Sequence, residues 1–261
     1  MFFRQVLHPD LGCASYVIAD GGVAAVVDPK WEIEDYLALA DEHGFEIRHV
    51  LETHNHADHV SGRGRLAAAT GATIHVSPTP GLAYEHEVLA DGEAIELGEV
   101  RIEALATPGH RPEHTAYLVY DKARGEEPWA VLTGDSLFVG DVGRPDLLVG
   151  EASLDVMDEA TRAETQFRSI REKLFALPDH VEVFPNHYGG STCGGVNMSG
   201  KASSTIYFEK RFNLALAQPD SAAFAAFVRE TAKPFPDDYS RIKSYNLGLI
   251  SRDELEEAKQ R

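Results

Sequence analysis

The sequence has 261 residues, enough for one large two-layer domain with a sizeable core, and its 43% hydrophobic and 25% charged residues are those of an ordinary globular chain. A formal charge of −18 argues against binding to nucleic acid or an anionic membrane surface, which need basic patches, so small molecules are the expected partners. Cys13 and Cys193 are too few for a disulfide framework and are not spaced as a C-x-x-C site. The opening MFFRQVLHPDLG carries no long apolar run, and no later stretch approaches the ~18 apolar residues of a membrane span. Reduced thiols and a cytoplasmic location are therefore expected.

In chain order, CASYVIAD, Gly21-Gly22 and VAAVVDP predict an antiparallel hairpin with the glycines at its tip. Ile33, Tyr36, Leu37 and Ala40 recur at helical spacing, and Gly44 stands where a C-terminal cap belongs. IRHVLET reads as a short buried strand. It runs into ETHNHADHVSG, Glu52 to Gly62, which places three histidines and an aspartate between His54 and His59. RIEALAT alternates Ile102, Ala104 and Ala106 before TPGH ends on His110; WAVLTGD runs into Asp135, and VEVFPNH into His187. Between the last two, a helix is predicted from about Leu154 to Phe175, with Leu154, Met157, Ala160, Phe167, Ile170 and Leu174 on one face and Leu177-Pro178 as its stop. After Lys201 the chain turns more helical, with Phe224, Phe227 and Val228 on one stripe. We read residues 1–261 as a single domain, with a core of about 1–200 and a short helical tail of about 201–261.

Four strand-like segments thus each end in a potential ligand, which predicts one convergent site along a sheet edge, held by a rigid scaffold. A solvated histidine loop is the bland alternative. The pattern H-x-H-x-D-H arises by chance on the order of once in 10^5 starting positions, which favours metal binding. Neutral imidazole and carboxylate together suit zinc, iron and manganese. His43, His49, His75, His86 and His180 stand apart from the motifs and read as surface or core histidines, while His114 lies beside TPGH with its role open. Cys13 receives no role.

Taken in order, H-x-H-x-D-H, TPGH, TGD and a late histidine after a strand resemble the metallo-β-lactamase superfamily over roughly residues 1 to 200. That resemblance implies an α/β fold, a four-layer αββα sandwich with metal at one edge of the paired sheets. In dinuclear members it implies His54, His56 and His110 at one position, Asp58, His59 and His187 at the other, and Asp135 between them. The segments TGDSLFVGDVGRPDL (Thr133 to Leu147), TPGHRPEHTAYL and HYGGSTCGG are similar to persulfide dioxygenases, especially the dioxygenase domain of the rhodanese-fused subgroup. For these the resemblance implies one Fe(II) on His54, His110 and Asp135, with His56 and His187 as candidate further ligands. The implied reaction oxidises the outer sulfur of a low-molecular-weight thiol persulfide, glutathione persulfide or a similar one, with O2 to sulfite and thiol in sulfide detoxification.

Asp58 and His59 would then hydrogen-bond around the iron or bind substrate, or else be passive remnants of a second metal site. Two departures stand out. Arg111 occupies a position where the subgroup usually has threonine, and no cysteine follows Cys193, so a rhodanese acting downstream would be a separate protein. Arg111 is a candidate contact for the anionic groups of a thiol carrier, or else a solvated arginine. Arg144 is a second such candidate, or pairs with Asp146 to support its loop. Cys193, in a loop of glycines, either relays persulfide or packs as a buried thiol. Two other classes stay open: a zinc-dependent thioester hydrolase of the glyoxalase II type with one or two zinc ions, and a noncatalytic metal-binding or sulfur-trafficking protein. A homodimer is compatible with the superfamily.

Overall fold

The period-two segments at the start of the chain assemble one six-stranded sheet. In the computed structural model, which describes residues 1–79, 81–147, 158–234 and 238–257, β1 (Phe2–His8), β2 (Cys13–Asp20) and β3 (Val23–Val27) pair antiparallel. Gly21 and Gly22 form the predicted turn with φ of 59° and 81°, a conformation that costs glycine nothing. β4 (Glu46–Leu51), β5 (Thr73–Val76) and β6 (Glu87–Val88) add in parallel. Parallel neighbours need crossovers, which α1 (Glu34–His43) supplies between β3 and β4 and α2 (Arg63–Thr70) between β4 and β5. Gly44 closes α1 as expected, left-handed, with its N–H on the Ala40 carbonyl.

The second sheet holds β7 (Ala94–Leu97), β8 (Val100–Ala106), β9 (Thr115–Asp121) and β10 (Ala130–Gly134) in antiparallel order, then β11 (Glu182–Pro185) parallel to β10 and the two-residue β12 (Ser204–Thr205). Tyr16, Ile18 and Leu51 from the first sheet meet Ile102, Tyr117 and Leu132 from the second in the inter-sheet core. Each fully buried Leu or Ile there contributes roughly 1.5–3 kcal/mol. Tyr36 of α1 and Leu66 of α2 cover the outer face of the first sheet. The outer face of the second is covered by α3 (Glu159–Ser169), α4 (Ile206–Phe212) and α5 (Ser221–Thr231), giving the expected αββα layering. β4, β8, β10 and β11 therefore all deliver their following residues to one edge of the sandwich.

The predicted helix at 154–175 is only partly as expected. Its first four residues, including Leu154 and Met157, lie outside the described residues. α3 is capped by Asp158, which accepts from the Thr161 N–H at 2.8 Å, and it continues into a π-helical turn, Ile170–Leu174. Its inner face also differs: Ala160 is exposed, while Arg162, Gln166 and Ser169 are buried beside Ala163. The reason is that α3 packs not only on the sheet but on two loops whose carbonyls require donors. In the tail, Phe224 and Val228 are buried and Phe227 packs beside them as predicted. α6 (Tyr239–Asn246) then lies across the histidine loop, and α7 (Arg252–Glu257) follows. Among the described residues no helix is long and apolar enough to cross a membrane.

Candidate metal centre

The histidine loop is held from below by two buried acids. Asp28 follows β3 and precedes Pro29 in left-handed conformation, φ 51°, the one non-glycine residue with positive φ among those described. This backbone aims its carboxylate at the loop: Oδ1 accepts from Thr53 N at 2.7 Å, and Oδ2 from Thr53 Oγ1 at 2.8 Å. His56 Nε2 lies 3.0 Å from Asp28 Oδ1 and 3.3 Å from Glu52 Oε2. Burial opposes charge on this ring, but the two acids outweigh it and raise its pKa to about 9. Glu52 is itself fixed by the Ser61 hydroxyl at 2.5 Å and by Arg63 at 3.6 Å.

Above this base, His54, His110 and Asp135 converge, all buried, with one donor atom from each within 4.8 Å of the others. Asp135 Oδ2 stands 3.8 Å from His54 Nε2 and 3.6 Å from His110 Nε2. His110 Nδ1 donates to the Arg144 carbonyl at 2.8 Å. His54 Nδ1 donates to Thr53 Oγ1 at 3.0 Å, whose own proton goes to Asp28. Both rings thereby turn an Nε2 lone pair toward Asp135, and burial lowers both pKa values, which keeps them neutral. Among the described residues, Asp135 Oδ2, His56 Nδ1 and His59 Nε2 are buried with no hydrogen-bond partner. A buried acceptor left so costs about 1–3 kcal/mol. Ligand atoms sharing an ion at ~2.1 Å stand ~3–3.5 Å apart, close to the separations here. The donor set fits a divalent metal, and two imidazoles with one carboxylate suit iron or zinc.

His187 sits differently. Nδ1 lies 2.7 Å from Asp135 Oδ1 and Nε2 2.6 Å from Asp58 Oδ2. Burial disfavours its charge, but both acids together raise its pKa well above the usual value. As placed, both ring nitrogens are engaged by carboxylates. Asp58 also meets His59 Nδ1 at 3.2 Å. Cys193 is buried in an apolar cluster with Ala57, Phe138, Leu147, Met198 and Tyr239, yet its sulfur belongs with the donor atoms of Asp58 and His187, all within 4.8 Å of one another. Burial, then Asp58 and Asp135, push its pKa well up, so it stays a thiol.

The two arginines are interior, not solvated. Arg111 Nε donates to Glu113 Oε1 at 3.1 Å, and its side chain bonds to Tyr239. Arg144 forms a two-point pair with Asp146 at 2.9 and 2.7 Å and reaches the carbonyls of Thr192 and Lys233. His114, whose role the sequence left open, has one: burial lowers its pKa to about 3, and its Nε2 accepts the Asp135 N–H at 3.0 Å.

Several positioning residues escaped sequence reasoning. Gln166 Nε2 donates to the carbonyls of Gly143 at 2.7 Å and Ser136 at 3.3 Å, Arg162 to Pro145, and Ser169 to Pro108. Gly109 is required beside them, because a Cβ there would stand 2.1 Å from Gln166 Cβ. From the tail, Asn246 Nδ2 donates to the His56 and His59 carbonyls at 2.8 and 2.9 Å. The one available signal was polar residues interrupting an apolar stripe. Asp28 had another, an acid between an apolar strand and a proline.

A sequence model described as the metallo-beta-lactamase superfamily matches residues 8–187. The human protein named persulfide dioxygenase ETHE1, mitochondrial, is 28% identical over 236 residues, covering 86% of each chain. A hydroxyacylglutathione hydrolase of Methylococcus capsulatus is 36% identical over 171 residues, covering 64% of this chain and 57% of that one. Among solved structures, a metallo-beta-lactamase from Staphylococcus aureus superposes with a TM-score of 0.86 at 31% identity, covering 96% of this chain and 73% of that one. ETHE1 from Myxococcus xanthus gives 0.78 at 27%, covering 96% and 100%. With paired sheets delivering histidines and acids to a common edge, and with that match over most of its length, the chain belongs to the metallo-β-lactamase superfamily.

Proposed function

We propose that the protein is an iron-dependent persulfide dioxygenase, converting R–S–SH, O2 and water into R–SH, sulfite and two protons. The observation that carries this reading is the extent of the match. The human ETHE1 protein aligns over 86% of both chains and the Myxococcus one superposes over its whole length, whereas the hydroxyacylglutathione hydrolase aligns over 57% of its own. His54, His110 and Asp135 would hold one Fe(II) per chain and leave positions open on one face. When bound, iron supplies the one-electron chemistry through which dioxygen reacts with the persulfide. The chain's own residues prepare the rest. His187, hydrogen-bonded between Asp58 and Asp135, lies beside the triad, and Phe138, Leu147 and Met198 keep water from that side. Arg111 and Arg144, each already committed to an acid, shape the walls that the thiol carrier meets.

A specific observation favours a second reading. Among the described residues, His56 Nδ1 and His59 Nε2 are buried without partners, and their rings group with Asp58. A second cation there would make a dinuclear zinc thioester hydrolase. Protein purified without oxygen, analysed for metal and then given glutathione persulfide or S-lactoylglutathione, separates the two. The dioxygenase requires about one iron per chain, oxygen uptake and sulfite, with thioester cleavage slow or absent. Fast thioester turnover with about two zinc ions per chain and no oxygen uptake after iron loading establishes the hydrolase.

A further inference from the structure

A cavity of about 410 Å³ opens where the tail meets α2, outside the metal centre, and Trp31, Arg63, Arg65, Tyr84, Tyr245 and Ile250 line it. Its size is that of a small-molecule site. The wall is built in layers of guanidinium and ring: Arg63 lies 4.3 Å from the Tyr84 centroid, Arg65 lies 4.9 Å from that of Trp31, and Trp31 meets Tyr245 edge-on at 6.2 Å. Concentrating cationic groups in one concave place on a chain of net charge −18 runs against the rest of the molecule. Guanidinium planes and aromatic faces together recognise flat rings, and guanidinium edges recognise oxyanions.

We propose that this cleft binds a small planar aromatic anion, a ring system joined to a carboxylate or phosphate. The ring packs against Tyr84, Tyr245 and Ile250, and the charge meets Arg65. Arg65 is available for this. It donates to the Trp31 carbonyl at 2.7 Å and lies over the Trp31 ring, but its ion pair is a 3.3 Å contact with Glu34, a side chain 69% exposed. Such a pair is worth little in water, so exchange for an anion inside a cleft is favourable. Arg63 is held more firmly, by Glu52 at 3.6 Å and the Asn246 carbonyl, and serves as a fixed wall. Because Glu52 also meets His56, an occupant that touches Arg63 is linked to the histidine loop through Glu52.

The test uses the whole metal-loaded protein and two probes, adenosine monophosphate and 1-naphthyl phosphate, followed by calorimetry, with adenosine and inorganic phosphate as the separated halves. The expected result is saturable binding of at least one probe at one site per chain, at least tenfold tighter than either half. Arg65→Ala should weaken it at least tenfold. Gly64 also lines the cleft, and nothing lies within 4 Å of its Cβ position, so Gly64→Leu can fill the space. That variant should abolish binding while metal content and melting temperature stay as in the unaltered protein. Failure of both probes to bind overturns the proposal, as does binding that survives Gly64→Leu. Adenosine binding as tightly as its monophosphate overturns the anionic part. None of these outcomes depends on oxygen uptake, so the proposal can fail while the dioxygenase reading stands, and the reverse.

Discussion

Asp135 carries three duties with one side chain and one amide. Oδ1 holds His187, Oδ2 faces His54 and His110, and the backbone N–H is fixed by His114. If the centre is mononuclear, replacing His54, His110 or Asp135 by alanine leaves two protein ligands, and metal content should fall from about one per chain to near zero. Asp58→Ala and His187→Ala should keep the metal and lose about 10–100-fold in rate, the usual effect of disturbing groups that orient ligands. His56→Ala should retain part of the metal, because Asp28 and Glu52 hold its Nε2 while only Nδ1 faces inward unpaired. Elemental analysis across the series decides. Two metals per chain, one of them lost with Asp58 or His187, shifts the assignment to the dinuclear hydrolase. Cys193→Ser should keep the full metal content, since the buried thiol keeps its proton and has no part in the ligand triad. Metal loss in that variant would place sulfur in the coordination sphere.

At the scale of elements, strands were legible and their polar supports were not. The period-two runs and the ligand motifs at their ends point to the site edge because a strand's next residue emerges where the strand stops. Helix α3 shows the limit. Its apolar spacing predicted a face through Ala160, yet the buried side holds Arg162, Gln166 and Ser169, since periodicity records apolar contacts and not distant carbonyls in need of donors. The same holds for Asn246, whose partners lie some 190 positions earlier in the chain. Gln166→Leu tests this account. It keeps much of the side-chain volume but leaves the Gly143 and Ser136 carbonyls without that donor, at about 1–3 kcal/mol each where water cannot reach. Lower stability should come with weaker metal retention during dialysis against a chelator, because these carbonyls flank Asp135 and the loop that orients His110. A variant equally stable and equally retentive would reduce α3 to packing.

For the whole molecule, the question is whether the C-terminal segment only covers the sandwich or takes part in the centre. Geometry places it in the centre. Asn246 bridges the carbonyls of His56 and His59 and accepts the Ser61 N–H at 3.1 Å, while the Lys243 carbonyl accepts from Asn55 at 3.4 Å. Helix α6 thus closes the H-x-H-x-D-H loop from outside as Asp28 and Glu52 brace it from inside. Loop order and metal binding should then be coupled through the tail. Asn246→Ala removes three buried hydrogen bonds to the loop, an expected destabilisation of about 2–4 kcal/mol. Its diagnostic effect is on linkage: an ion that binds only the folded site raises the melting temperature in proportion to its affinity, and a loosened loop binds it less tightly. The gap between metal-free and metal-loaded melting temperatures should therefore shrink in Asn246→Ala, beyond the fall common to both forms. Equal falls in both forms, with the gap preserved, would mean that α6 stabilises the fold without shaping the site.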